Sequence, residues 1–114
     1  MPAELAAEWK TCTGNPGVDW DQQIESCTRL INSGKETQEN VGIAYFNRGI
    51  AYEEKSNYPL ANSDYSAALA INPKDADALA FRGLNKQRLG DQDGAEADLA
   101  AARRIKPNVL NQVR

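Results

Sequence analysis

Apolar and small residues recur along this chain at helical spacing, in blocks divided by Gly, Pro and Asn turn signals. Leu5, Ala6 and Trp9 share one face of a first predicted helix, about 3–12, which the run Thr13-Gly14-Asn15-Pro16-Gly17 must end. Asp19, with Gln22 three residues on, has the register of a capping box. It opens a second helix to about Asn32, whose predicted buried stripe is Trp20, Ile24, Cys27, Leu30 and Ile31. Ser33-Gly34 closes that helix, and 35–40 reads as a polar linker. A third helix over about 40–55 carries Ala44, Tyr45, Arg48, Gly49 and Tyr52 along one side. Asn57 caps a fourth, with Pro59 in a first turn where its missing N–H does no harm. Asn72-Pro73 ends it, because a residue before proline is pushed out of the helical region. Two more helices, over about 75–89 and 91–105, join through Gly90 and stop at Lys106-Pro107. The pattern is all-α, three helix hairpins.

The last two hairpins are copies of one another at an offset of 34 residues. Ala44, Arg48, Gly49, Ala61, Asp64, Ala67, Ala68, Ile71 and Pro73 recur as Ala78, Arg82, Gly83, Ala95, Asp98, Ala101, Ala102, Ile105 and Pro107. A fixed period of this length is the mark of a solenoid, in which each hairpin leaves an apolar face for its neighbour to cover. Glycine inside a helix costs about 1 kcal/mol against alanine, so Gly49 and Gly83 require a packing reason. Close approach of the two helices of a hairpin supplies it, with Ala61 and Ala95 as facing small residues and Tyr65 and Leu99 filling the space beyond.

This arrangement resembles the tetratricopeptide repeat family. Tyr45, Gly49, Tyr52, Ala61, Tyr65, Ala68 and Pro73 match its pattern; Leu79, Gly83, Ala95, Leu99, Ala102 and Pro107 match with softer substitutions, and Lys86 departs from it. The resemblance implies a right-handed α-solenoid in a single domain over 1–114. Its parts are an atypical N-terminal hairpin at 3–33, repeats at 42–75 and 76–109, and the start of a capping helix at 110–114. In the N-terminal third only the second helix fits, and the linker after it is about four residues too long.

Composition narrows the function classes. The net charge is −3, the pI about 4.9 and charged residues make up 25% of the chain, well mixed in sign. That balance excludes the clustered basic surface nucleic acid demands. No apolar run approaches the ~18 residues of a membrane span, and no signal-peptide pattern is visible. An enzyme lacks support: there is no histidine, no Gly-rich phosphate loop and no Cys-x-x-Cys. The adjacent Glu53 and Glu54 project ~100° apart on a helix and read as solvated surface. Two cysteines without histidine cannot complete a zinc site, and no cofactor is implied.

From their spacing, Cys12 and Cys27 are either buried thiols or a disulfide across the first hairpin. The likeness to exported bacterial members of the family, carried by Cys12, Ile24–Thr28 and Asn47–Tyr52, implies the disulfide and a periplasmic location. A cytoplasmic one is the alternative. The resemblance further implies that the first helix of each hairpin lines a concave groove holding a peptide or helix of a protein partner. Its positions here are Ile43, Phe46, Asn47, Ile50, Glu53 and Glu54, then Asp77, Ala80, Phe81, Leu84, Gln87 and Arg88. Only Asn47 sits where members that clamp acidic chaperone tails carry their charged and amide residues, so that specificity is not expected. After Pro107, Val109, Leu110 and Val113 begin a further amphipathic helix. Its shortness predicts a partly uncovered Ala-rich face, so that the sequence is a piece of a longer protein or that face meets a second copy. The rival function is accordingly a structural self-assembly module forming a homo-oligomer.

Overall fold

The computed structural model describes residues 5–112. Among them the chain forms α1 (Ala6–Cys12), α2 (Trp20–Asn32), α3 (Gln38–Glu54), α4 (Tyr58–Ile71), α5 (Ala76–Arg88), α6 (Gln92–Ile105) and α7 (Val109–Gln112), and no strand. From α1 to α6 each helix packs chiefly on its neighbours in sequence, the connectivity of a solenoid, and α7 lies against both α5 and α6. The stack is elongated, 42 × 25 × 22 Å.

Local chemistry sets the boundaries. Asp19 caps α2 in a full capping box with Gln22. Asn57, Asp75 and Asp91 each accept a backbone N–H three residues on, at the starts of α4, α5 and α6. The linker before α3 is shorter than the polar run 35–40 predicts. Thr37 accepts from Asn40 N–H and starts the helix at Gln38, while Glu36 receives hydrogen bonds from the Trp9 indole and the Asn40 amide. Between α3 and α4 the chain turns through Ser56 at φ 62°, and between α5 and α6 through Gly90 at φ 88°. These two residues are 34 apart, so one repeat makes its left-handed turn with serine and the next with glycine.

The glycines inside α3 and α5 are where the hairpins close. A Cβ on Gly49 would stand 2.6 Å from Tyr65 Cε1, and one on Gly83 would stand 3.0 Å from Leu99 Cγ. Arginine and aspartate at the repeated positions then tie the helices together. Arg48 donates through Nε and Nη2 to both oxygens of Asp64, each at 2.8 Å, and through Nη1 to Thr28 Oγ on the preceding hairpin at 3.0 Å. Arg82 repeats the fork, with Asp98 at 2.7 and 2.8 Å and Ser66 Oγ at 3.1 Å. Each arginine therefore clamps its own hairpin and the one before it. The hydrogen bond to Asp64 raises the Arg48 pKa against the cost of its burial, and Asp98 does the same for Arg82. Burial alone would push the Asp98 carboxyl up; the hydrogen bonds from Arg82 and Lys86 outweigh it and hold it below its usual range.

The N-terminal hairpin is closed differently. Cys12 and Cys27 form a disulfide with their Cα atoms 4.8 Å apart, fully buried among Leu5, Trp9, Leu30 and Ala44. Trp20 does not join that stripe and is 42% exposed, because it occupies the first position of α2, ahead of the turn that packs. Gln23 is buried in its stead, donating through Nε2 to the Asn47 carbonyl at 3.1 Å. At the far end Val109 is fully buried, and Leu110 packs beside it on the cluster of Leu69, Ala76, Ala78, Leu79, Ala80 and Ala102. The Ala-rich face thus receives the start of α7; Val113, expected to continue it, lies outside the described residues.

Candidate functional site: the faces of α3 and α5

Phe46 of α3, Phe81 of α5 and Tyr65 of α4 form one aromatic cluster, with ring centroids 5.5–5.8 Å apart. Phe46 and Phe81 are half-buried and bridge the first helices of the two repeats, while Tyr65 is fully buried behind them. Offset and edge-on aromatic contacts of this kind add about 0.5–1.5 kcal/mol each beyond area burial, which makes the base of this face stiff. Around it Asn47, Ile50, Asp77 and Leu84 are half-buried, and Ile43, Glu54, Gln87 and Arg88 are exposed.

Two of the expected groove residues lie beneath this surface. Ala80 has no exposed area: it belongs to the core cluster under α7, where its small side chain lets the helices approach. Glu53, expected with Glu54 at a solvated acidic edge, is 4% exposed. Its Oε1 accepts from the Tyr65 hydroxyl at 3.0 Å and the Asn85 amide at 2.9 Å, and Arg88 lies 3.7 Å from Oε2. Arg88 in turn donates to Asn85 Oδ1 at 2.7 Å and stacks over the Tyr58 ring. One buried carboxylate therefore joins α3, α4 and α5 across the boundary between repeats. Burial, reinforced by the charges of Asp64 and Glu54, raises the Tyr65 pKa, so its hydroxyl stays protonated as a donor. The 34-residue comparison could not reveal this network, because Glu53 aligns with Gln87 and Asn85 with Ala51.

Between the N-terminal half of α3 and the C-terminal end of α4 a cavity of about 440 Å³ opens, lined by Gln38, Glu39, Gly42, Ile43, Ala68, Ile71, Asn72 and Asp75. Of the expected groove residues only Ile43 touches it. Among the described residues no group of three or more His, Cys, Asp or Glu is placed to hold a metal ion, and no helix is long and apolar enough to cross a membrane.

Stacked antiparallel hairpins, clamped at a 34-residue period around paired glycines, define a helical solenoid. The tetratricopeptide repeat profile matches residues 42–75. The chain is similar to the lipoprotein NlpI homolog of Haemophilus influenzae, 31% identical over 83 residues, which are 71% of this chain and 26% of that protein. It is also similar to the protein unc-45 homolog B of Danio rerio, 32% identical over 88 residues, 76% of this chain and 9% of that protein. The chain is a tetratricopeptide repeat protein. It spans about a quarter of the first relative and under a tenth of the second. Tetratricopeptide repeats generally mediate protein–protein interactions.

Proposed function

We propose that this chain is a non-catalytic scaffold that holds a peptide or helix of a partner protein along the exposed faces of α3 and α5. The supporting observation is the stiff Phe46–Phe81 base, with the half-buried Ile50 and Leu84 beside it and the polar Asn47, Glu54 and Gln87 at its margins. An apolar centre with a polar rim is the usual anatomy of a recognition surface. The buried disulfide and the likeness to a bacterial lipoprotein support a periplasmic setting, where such bonds persist.

Photo-crosslinking residues placed singly at Asn47, Glu54 and Gln87, and for comparison at Ser63 and Glu96 on the outward faces of α4 and α6, test this directly. Expression in a bacterial periplasm should give a discrete adduct from the first three positions only. Adducts confined to Ser63 and Glu96, or one homodimer band from every position, would overturn the groove assignment.

A further inference from the structure

The cavity between α3 and α4 differs in chemistry from the aromatic base. Its walls are apolar: Ile43, Ala68, Ile71 and the backbone of Gly42. Its remaining lining residues are Gln38, Asn72, Glu39 and Asp75, so every charged group on it is a carboxylate. Asp75 spends Oδ1 on capping α5, through the Ala78 N–H at 3.1 Å, which leaves Oδ2 outside the cap. Asn72 Oδ1 is taken by the Lys74 N–H at 3.2 Å. Glu39 has no hydrogen-bond or ion-pair partner among the described residues. The volume falls within the range of small-ligand pockets, about 300–1,000 Å³.

We infer that this cavity takes an arginine side chain from the partner peptide. The aliphatic stem would lie along Ile43, Ala68 and Ile71, and the guanidinium would meet the carboxylates of Glu39 and Asp75. Long cationic side chains bury their methylenes against apolar surface while keeping the charged head among polar groups. Carboxylates match the planar fork of donors that arginine presents. The inference rests on the groove reading and adds the chemistry of one anchoring residue. Ile43 connects the two, since it lies on both the α3 face and the cavity wall.

The test is an NMR titration of the isotopically labelled 114-residue chain with Nα-acetyl-arginine methylamide, and with its citrulline and norleucine counterparts. Citrulline keeps the shape of arginine without the charge, and norleucine keeps only an apolar stem. The expected result is saturable shifts at Gly42, Ile43 and Asp75 with the arginine compound. Binding should be about tenfold weaker with citrulline, as loss of charge-assisted hydrogen bonds predicts. The E39Q/D75N variant should lose the arginine preference yet stay folded, because asparagine caps a helix as well as aspartate. Equal shifts with all three compounds, no saturable shift, or an unaltered preference in E39Q/D75N would each overturn the assignment. Crosslinking from Asn47 and Glu54 in the E39Q/D75N background separates the two readings. Adducts that persist while the arginine probe fails remove only the anchoring residue.

Discussion

Replacing Gly49 by alanine sets two effects of similar size against each other. Helix propensity favours alanine by about 1 kcal/mol at either repeated glycine. The added methyl at 49 would lie 2.6 Å from Tyr65 Cε1 and 2.9 Å from Cδ1. That ring cannot yield easily, since it is fully buried, packed against Phe46 and Phe81, and held through its hydroxyl to Glu53. Overpacking at such a site costs about 1–3 kcal/mol, and this contact belongs at the upper end. The net loss is then about 1–2 kcal/mol, a fall in Tm of roughly 5–10 °C for a domain of this size. At Gly83 the nearest contacts are 3.0 Å to Leu99 Cγ and 3.1 Å to Asp98 Cβ. A leucine can shift by the few tenths of an ångström needed, so Gly83→Ala should fall within about 0.5 kcal/mol of neutral. Urea titrations at constant m measure both changes. In a Tyr65→Leu background Gly49→Ala should approach the Gly83 value, which makes the contact with the ring a measurable coupling. Equal losses at the two glycines, or a stabilised Gly49→Ala, would refute the reasoning.

The other expectations concern the turns, clamps and bridge. Ser56→Gly should stabilise the chain by about 1 kcal/mol in the same titration, since glycine removes the strain of the left-handed turn and is what the next repeat carries at Gly90. Glu53→Ala leaves the Tyr65 hydroxyl and the Asn85 amide buried without their acceptor and should cost about 2–4 kcal/mol, read as a shift in urea midpoint. Asp98→Asn should destabilise by roughly 2 kcal/mol at neutral pH, because it leaves Arg82 and Lys86 without their counter-charge. Asp98 has its folded pKa below the ordinary 3.8, so the ionised form stabilises the fold above that pH. That contribution disappears as the pH falls from 3.8 through the folded value, and the gap between wild type and Asp98→Asn should close there in thermal melts. Removing the disulfide with Cys12→Ser and Cys27→Ser should cost about 3 kcal/mol for a 15-residue loop, with hydrogen exchange rising first in α1.

The architecture was legible because its determinants are local and repeated. Asp19, Asn57, Asp75 and Asp91 announce helix starts by residue type alone, and Gly49 and Gly83 point to Tyr65 and Leu99 through a shared spacing of 16 residues. Less of the α3 and α5 faces could be read. Ala80 and Glu53 hold helix positions that face a partner in the family pattern, but their burial depends on α7 and on Asn85, which no periodicity specifies. Trp20 misled for the opposite reason: a large apolar residue in register with a buried stripe is exposed when it is the first residue of its helix. The pairing of Arg48 with Asp64 and of Arg82 with Asp98 was open to inference. Both members recur 34 residues on, and opposite charges repeated together signal a contact.

The two full repeats locate what the disulfide does. Thr28 and Ser66 receive the same hydrogen bond from the next hairpin's arginine, and they are 38 residues apart, four more than the period. By that register Cys27 corresponds to Tyr65, the residue that fills the space against Gly49. Cys12 precedes Cys27 by 15 residues, close to the 16 that separate Gly49 from Tyr65 and Gly83 from Leu99. The bridge therefore stands where the other hairpins place a glycine against a large side chain. It joins two helices covalently at the point of closest approach, where the repeats rely on steric fit. α1 has seven residues, too few for a helix to persist by propensity, and no side-chain hydrogen bond caps its start. A packing contact alone would order so short a segment weakly, whereas a covalent bond limits how far it can depart in the unfolded chain. The first hairpin can thus lack the family's glycine and still present Thr28 to Arg48, which is how it keeps the solenoid continuous.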